Sequence, residues 1–179
     1  MEPTEEEQKN LNSVIRILGC FTELCGRTLA WLSFAMMILT VIVVLMRYLF
    51  QSGNLIMLQE GVIYLHACAF MLGAAWTLKR EGHVRVDVRY RNMSERAKAW
   101  VDSLGTLLFL LPVSVFLLWV SMDFVGRAWE IREVSAEPGG IPGVFLLKSL
   151  IPLMAGLMII QGVYELLKNA FVLMRSDES

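Results

Sequence analysis

Reactive and ligand-forming side chains are scarce in this chain, which has only three cysteines and two histidines. The cysteines, Cys20, Cys25 and Cys68, are odd in number and form no Cys-x-x-Cys pair, so they predict no disulfide framework. The sequence has no phosphate-binding glycine loop with its lysine, which excludes ATP hydrolysis by a P-loop. A net charge of −1 gives no reason to expect nucleic acid as a partner. We therefore predict no catalytic residue, no metal site and no cofactor.

Ionised side chains are also missing from four apolar stretches, residues 28–46, 61–78, 103–122 and 149–164. About 20 helical residues cross a hydrocarbon core ~30 Å thick, so the first three are long enough or nearly so. The fourth is long enough if it starts near Phe145 and the Lys148 side chain extends toward the interface. Hydrophobic residues make up 56% of the chain, too many for a soluble domain of this size. The predicted fold class is an all-α integral membrane protein with four transmembrane helices.

Lysine and arginine are divided unevenly between the two sides of such a bundle. Twelve of the sixteen lie before the first span, between the second and third spans, or after the fourth, and four lie in the other two loops. Because cytoplasmic loops of membrane proteins are enriched in Lys and Arg, this bias predicts that both termini are cytoplasmic.

The first 27 residues are expected to stay on the cytoplasmic side. Their acidic start does not lead into a short apolar core, so no cleaved signal peptide is expected. From Leu11 the apolar residues recur at helical spacing, which predicts an amphipathic helix lying on the membrane surface. A cytoplasmic extension of the first span is the alternative. The predicted organisation is a cytoplasmic segment (1–27), a four-span membrane domain (28–170) and a cytoplasmic tail (171–179).

Three polar residues mark the outer ends of the first two spans. Arg47 and Tyr48 follow the first span, where an aromatic residue suits the membrane interface. Glu60 precedes the second span, and we expect it to form an ion pair with Arg47 that fixes the hairpin. A proton-carrying role for Glu60 is the alternative.

Other local signals concern helix packing and helix ends. Gly73, four residues after Ala69, lets a neighbouring helix approach closely, although small residues at this spacing also arise by chance. Pro112 predicts a kink in the third span, for which an inert kink is favoured over a gating hinge. Either Asn92 or Ser94 caps the helix that leads into that span.

Four short motifs together resemble one known family. In chain order they are Arg47-Tyr48-Leu49-Phe50, Gln59-Glu60, Leu72-Gly73-Ala74-Ala75 and His83-Val84-Arg85-Val86-Asp87. Their order and spacing in a four-span chain are similar to those of the small permease subunit, of DctQ type, of the tripartite ATP-independent periplasmic (TRAP) transporters.

The resemblance implies a bacterial inner-membrane protein that is not an enzyme. Its partners would be membrane lipid, a large multi-span permease subunit that carries substrate and sodium, and a periplasmic binding protein that delivers an organic acid. The small subunit would support the static scaffold of the large one. His83, Arg85 and Asp87 would order the inner loop or its contact with the large subunit, and the outer loop of residues 123–144 would help to seat the binding protein.

Three other functions match parts of the pattern. A haem-bearing or quinone-linked membrane anchor of an oxidoreductase would use His66 with a ligand from a partner subunit. An enzyme that passes disulfides to quinone needs cysteine pairs on the oxidising side, whereas Cys20 and Cys25 lie on the predicted inner side. A homo-oligomeric drug exporter would use Glu60 as its coupling acid, but that acid is expected deeper in the first span.

Overall fold

The computed structural model describes residues 28–49, 55–79, 90 and 93–175. In this part of the chain there are helices and no strand, and four helices are long and apolar enough to cross a membrane. They are α1 (Thr28–Tyr48), α2 (Ile56–Lys79), α3 (Glu95–Glu130) and α4 (Val144–Arg175). The predicted all-α architecture with four spans is confirmed. The side of the membrane on which the termini lie stays a prediction, and the predicted amphipathic helix of residues 1–27 falls outside the described residues.

The helices extend beyond the apolar stretches from which they were predicted. Helix α2 begins at Ile56, which places Glu60 inside the helix rather than ahead of it. Helix α4 begins at Val144, and this earlier start provides the length that the fourth stretch lacked. The α3 N-cap is Ser94, whose hydroxyl accepts the Ala97 N–H at 3.3 Å, so the choice between the two candidate caps falls on Ser94.

Helices α1 and α2 form an antiparallel hairpin. A methyl group on Gly61 would lie 3.2 Å from Leu39 Cδ2, and one on Gly73 would lie 3.6 Å from Leu29 Cδ1. The later position on α2 therefore contacts the earlier position on α1, so the two helices run in opposite directions. Glycine at both contacts allows the two backbones to approach each other closely.

Helix α4 packs against both α2 and α3, which makes it the central helix of the bundle. Near its start, Phe145 lies edge-on to Trp129, with ring centroids 4.7 Å apart. Further along, a methyl group on Gly162 would lie 2.9 Å from Leu111 Cδ2, so α3 and α4 are antiparallel. The bundle consequently has one end that carries Glu60 and the loop of residues 131–143, called here the Glu60 end, and an opposite end where α1 begins and α4 finishes.

A π-helical segment, Thr106–Leu110, interrupts α3 just before Pro112. The buried side chains of α3 are mostly small and lie on the side that packs against α4. Two of them, Thr106 and Ser114, are eight residues apart. Eight α-helical residues turn the chain ~80° past two full turns, since each residue adds ~100°. The wider π turn takes up the extra residue, so that the small side chains before and after it continue to face α4. The kink predicted at Pro112 stays a prediction, and the π turn just before it has this structural role.

Large apolar side chains on the outside of the bundle have no partner within it. Trp31 on α1 is 73% exposed, and Trp119 on α3 is 76% exposed. Side chains of this size cover far more apolar surface than a soluble monomer leaves exposed. Lipid or another protein must therefore cover these faces.

Candidate functional site

The Glu60 carboxylate holds the loop between α3 and α4 against α2. One carboxylate oxygen accepts the hydroxyl of Ser135. The other accepts the backbone N–H of Ile141 at 2.5 Å. These contacts join positions 75 and 81 residues apart in sequence. Glu60, Ser135, Gly140 and Ile141 are called here the Glu60 clamp.

Gly140 is part of the clamp because no larger residue fits there. A methyl group at this position would lie 2.5 Å from the Ser135 Cβ and 2.6 Å from a Glu60 carboxylate oxygen. Both distances are well below van der Waals contact. Only glycine therefore lets the loop close over the carboxylate.

A second set of contacts joins the end of α3 and the start of the loop to the first turns of α4. The Lys148 ammonium lies 2.5 Å from a Glu133 carboxylate oxygen and 4.2 Å from the centre of the Phe124 ring. The Trp129 indole N–H donates to the Ser149 hydroxyl at 2.8 Å. The loop is thus attached to α2 by the Glu60 clamp, and the end of α3 and the start of the loop are joined to the first turns of α4.

The C-terminus of α3 enters the loop through a Schellman motif. The Glu133 N–H donates to the Ala128 carbonyl at 2.9 Å, and the Arg132 N–H donates to the Trp129 carbonyl at 3.2 Å. Arg132 has a φ of 46°, in the left-handed region that glycine occupies most easily. The loop therefore begins with a fixed and mildly strained backbone geometry.

The structure does not gather the other residues predicted from sequence around Glu60. Arg47 and Tyr48 are exposed at the end of α1, and within the described residues no ion pair joins Arg47 to Glu60. Gly73 faces Leu29 near the opposite end of the bundle. His83, Arg85 and Asp87 lie outside the described residues.

Sequence reasoning missed Ser135 and Ile141 as the partners of Glu60. The turn-rich run of residues 137–143 marked a break between helices, and Gly140 within it was a local signal of close backbone approach. Nothing in a single sequence relates that glycine to a carboxylate 80 residues earlier. The pairing depends on α4 lying beside α2.

Polar side chains are also buried between the helices toward the opposite end of the bundle. Gln161 is 1% exposed, and its amide donates to a Glu165 carboxylate oxygen at 3.0 Å. Asn169, two turns further along α4 than Gln161, is 6% exposed. Polar side chains on transmembrane helices usually face other helices, because lipid tails cannot form hydrogen bonds with them.

The described residues offer no evident centre for a metal or haem. They contain no group of three or more His, Cys, Asp and Glu side chains that could hold a metal ion. His66 is exposed, and its ring stacks on Phe70 at 6.3 Å between centroids. The chemistry visible at the Glu60 end is hydrogen bonding and ion pairing that hold a loop in place.

Comparisons with known proteins identify the family. Residues 36–171 match the family described as "Tripartite ATP-independent periplasmic transporters, DctQ component". The "C4-dicarboxylate TRAP transporter small permease protein DctQ" of Vibrio cholerae is 31% identical over 118 residues, which cover 63% of this chain and 50% of that protein. The chain thus spans about half the length of the curated relative that it matches. No solved structure matches the chain.

These matches confirm the resemblance seen in the four short motifs. The family is a component of transporters, which confirms the prediction that the chain is not an enzyme and gives no support to an oxidoreductase anchor. Four apolar helices of spanning length agree with a membrane protein of this kind. The chain therefore belongs to the DctQ component family of the tripartite ATP-independent periplasmic transporters.

Proposed function

We propose that this chain supports the scaffold of a large permease subunit in a sodium-coupled TRAP transporter for organic acids. The observation that carries the proposal is the family match over residues 36–171, combined with helices whose large apolar side chains face outward. The outward faces of α1 and α3 are the surfaces that a larger subunit and lipid would cover.

A dicarboxylate is the first substrate to test. The Vibrio cholerae relative is named as part of a C4-dicarboxylate transporter, and this supports the same substrate class here. Substrate and sodium would bind the large subunit, because the spans predicted from sequence carry no ionised side chain.

We place both termini in the cytoplasm of a bacterial cell, in an inner-membrane protein. The basic residues flanking the spans support this orientation. The Glu60 end would then face the periplasm, and the clamped loop would present Glu137 and its exposed neighbours to a periplasmic binding protein. At the cytoplasmic end, His83, Arg85 and Asp87 would order the inner loop. In a variant whose three native cysteines are replaced by serine, a cysteine introduced at Glu137 should react with an impermeant maleimide added to cells, and one introduced at Ser176 should react only in inverted membrane vesicles. The reverse pattern would refute the orientation.

The first experiment is purification of a tagged chain from its native bacterium in mild detergent, with copurifying proteins identified by mass spectrometry. We expect a multi-span permease in stoichiometric amount. A homo-oligomer alone, or a partner that contains flavin or haem, would refute the proposal.

Transport itself is tested in proteoliposomes that contain the purified complex and the binding protein. Uptake of a C4-dicarboxylate should require sodium and the binding protein. Asp87→Ala should lower uptake or assembly if the inner loop has the proposed role. The matched control is Glu95→Ala, which removes an exposed carboxylate from the first turn of α3 and is expected to leave both unchanged.

A further inference from the structure

One backbone carbonyl in α3 has lost both of its regular hydrogen-bond donors. The Leu111 N–H donates to the Thr106 carbonyl, five residues back, because this part of the helix is a π turn. Pro112 has no N–H to donate. The Leu107 carbonyl would accept the N–H of residue 111 in an α-helix and the N–H of residue 112 in a π-helix. It accepts neither hydrogen bond.

Side chains of the described residues do not replace the missing donor. The side-chain hydrogen bonds to backbone carbonyls of α3 go elsewhere, from Ser121 to Leu118 and from Arg127 to Asp123. Thr106, the neighbouring hydroxyl, is buried on the side that faces α4. The Leu107 carbonyl is therefore open to a donor from outside this part of the chain.

The carbonyl emerges on a half-exposed side of α3. Trp100, Leu104 and Leu107 are 53%, 48% and 54% exposed and follow one another at helical spacings of four and three residues. They form one stripe beside the face that packs on α4, called here the Leu107 flank. A helix carbonyl points along the axis near the angular position of its own residue, so the Leu107 oxygen opens onto this flank.

The apolar run that starts at Ser103 places this carbonyl inside the hydrocarbon layer. Leu107 is four residues into the run, or ~6 Å at ~1.5 Å per residue. Lipid tails have no group that can donate a hydrogen bond. Irregular backbone at this depth is found where protein or a water-filled cavity satisfies it.

We propose that the Leu107 carbonyl accepts a hydrogen bond from a polar side chain on a transmembrane helix of the large permease subunit, which packs along the Leu107 flank. The donor class is a hydroxyl, carboxamide or indole N–H. This inference rests on the proposed function, since that function supplies the partner helix. It adds the place of contact and its chemistry.

A backbone substitution tests the bond without changing any side chain. Replacing Leu108 by its α-hydroxy acid turns the bond between residues 107 and 108 into an ester, whose carbonyl is a weaker acceptor. The matched control replaces Leu118 in the same way, which weakens the Leu117 carbonyl in a regular part of the helix. Both variants lose one helical N–H, so only the role of the weakened carbonyl differs.

The readout is the amount of large subunit that copurifies with each tagged variant, normalised to the amount of chain in the membrane. The Leu108 variant should retain the partner about three- to tenfold less well than the Leu118 variant, as expected for one interhelical hydrogen bond in a membrane. A photoreactive residue at Leu104 should crosslink to the large subunit.

Three results would overturn the inference. Equal retention by the two variants, with the native complex intact, means that the carbonyl is solvated by water or otherwise satisfied, and the proposed function stands. A crosslink from position 104 to a second copy of this chain assigns the flank to self-association. If the unmodified chain retains no large permease, both the proposed function and this inference fail.

Discussion

Replacing Glu60 by alanine should release the loop between α3 and α4 from the rest of the bundle. The substitution removes the acceptors of the Ser135 hydroxyl and of the Ile141 N–H, which lies 2.5 Å from the carboxylate. Glu60 and Ile141 are half-buried, so water replaces the lost acceptors only in part. The helices themselves need not change, because their contacts lie elsewhere.

The size of the effect follows from the two hydrogen bonds. A hydrogen bond to a charged group contributes about 1.5–3 kcal/mol, and partial exposure argues for the lower value at each. Losing both should make local opening of the loop easier by about 3 kcal/mol, or about 100-fold. Glu60→Gln keeps one carbonyl oxygen as an acceptor and should cost about half as much.

Hydrogen exchange measured by mass spectrometry, with the protein in lipid nanodiscs, reads this opening directly. Peptides that cover residues 131–143 should exchange about 100-fold faster in Glu60→Ala, while peptides from the middle of α4 stay unchanged. Glu130→Ala is the control, since it removes an exposed carboxylate from the nearby end of α3. If the loop exchanges equally in both variants, Glu60 does not hold it.

Four further predictions concern the same region and the helix contacts. Gly140→Ala should lower the free energy of local loop opening by about 2 kcal/mol or more, because the added methyl group clashes with Ser135 and Glu60. The effect should be smaller in a Glu60→Ala background, and equal effects in both backgrounds would contradict the contact. Arg132→Gly should raise the free energy of unfolding by about 1 kcal/mol, measured by thermal denaturation, because glycine adopts the left-handed backbone without strain. A lower free energy of unfolding would refute the strain. Lys148→Met should lower the free energy of unfolding by about 1 kcal/mol, and by less at high salt, because the substitution removes an ion pair and a contact with an aromatic ring. An unchanged free energy of unfolding at low salt would contradict this. Gly162→Ala should lower the free energy of unfolding by about 1 kcal/mol, because the added methyl group crowds against α3. Gly156→Ala, where nothing lies within 4 Å of the added methyl group, should raise the free energy of unfolding by about 0.5–1 kcal/mol. A change of the same sign in both variants would refute the packing.

The Glu60 end shows how far local sequence carries and where it stops. Local sequence placed a break between helices at residues 137–143, since proline and glycine end helices wherever they cluster. It also placed Glu60 at the end of an apolar span. It paired Glu60 with Arg47, the nearest charge of opposite sign, because sequence distance was the only distance available. In the folded chain the loop between α3 and α4 lies against the Glu60 carboxylate, which accepts hydrogen bonds from Ser135 and Ile141.

Four apolar stretches and four short motifs were enough to determine the helical membrane architecture and the family of this chain. Both are local properties, because a span needs only its own run of apolar residues and a motif only its own spacing. The tertiary structure alone decided that α4 lies between α2 and α3, that Gly140 closes on Glu60, and that a π turn keeps one face of α3 on α4. These features arise from contacts between segments distant in sequence, and the energy of such contacts exists only once the helices are packed.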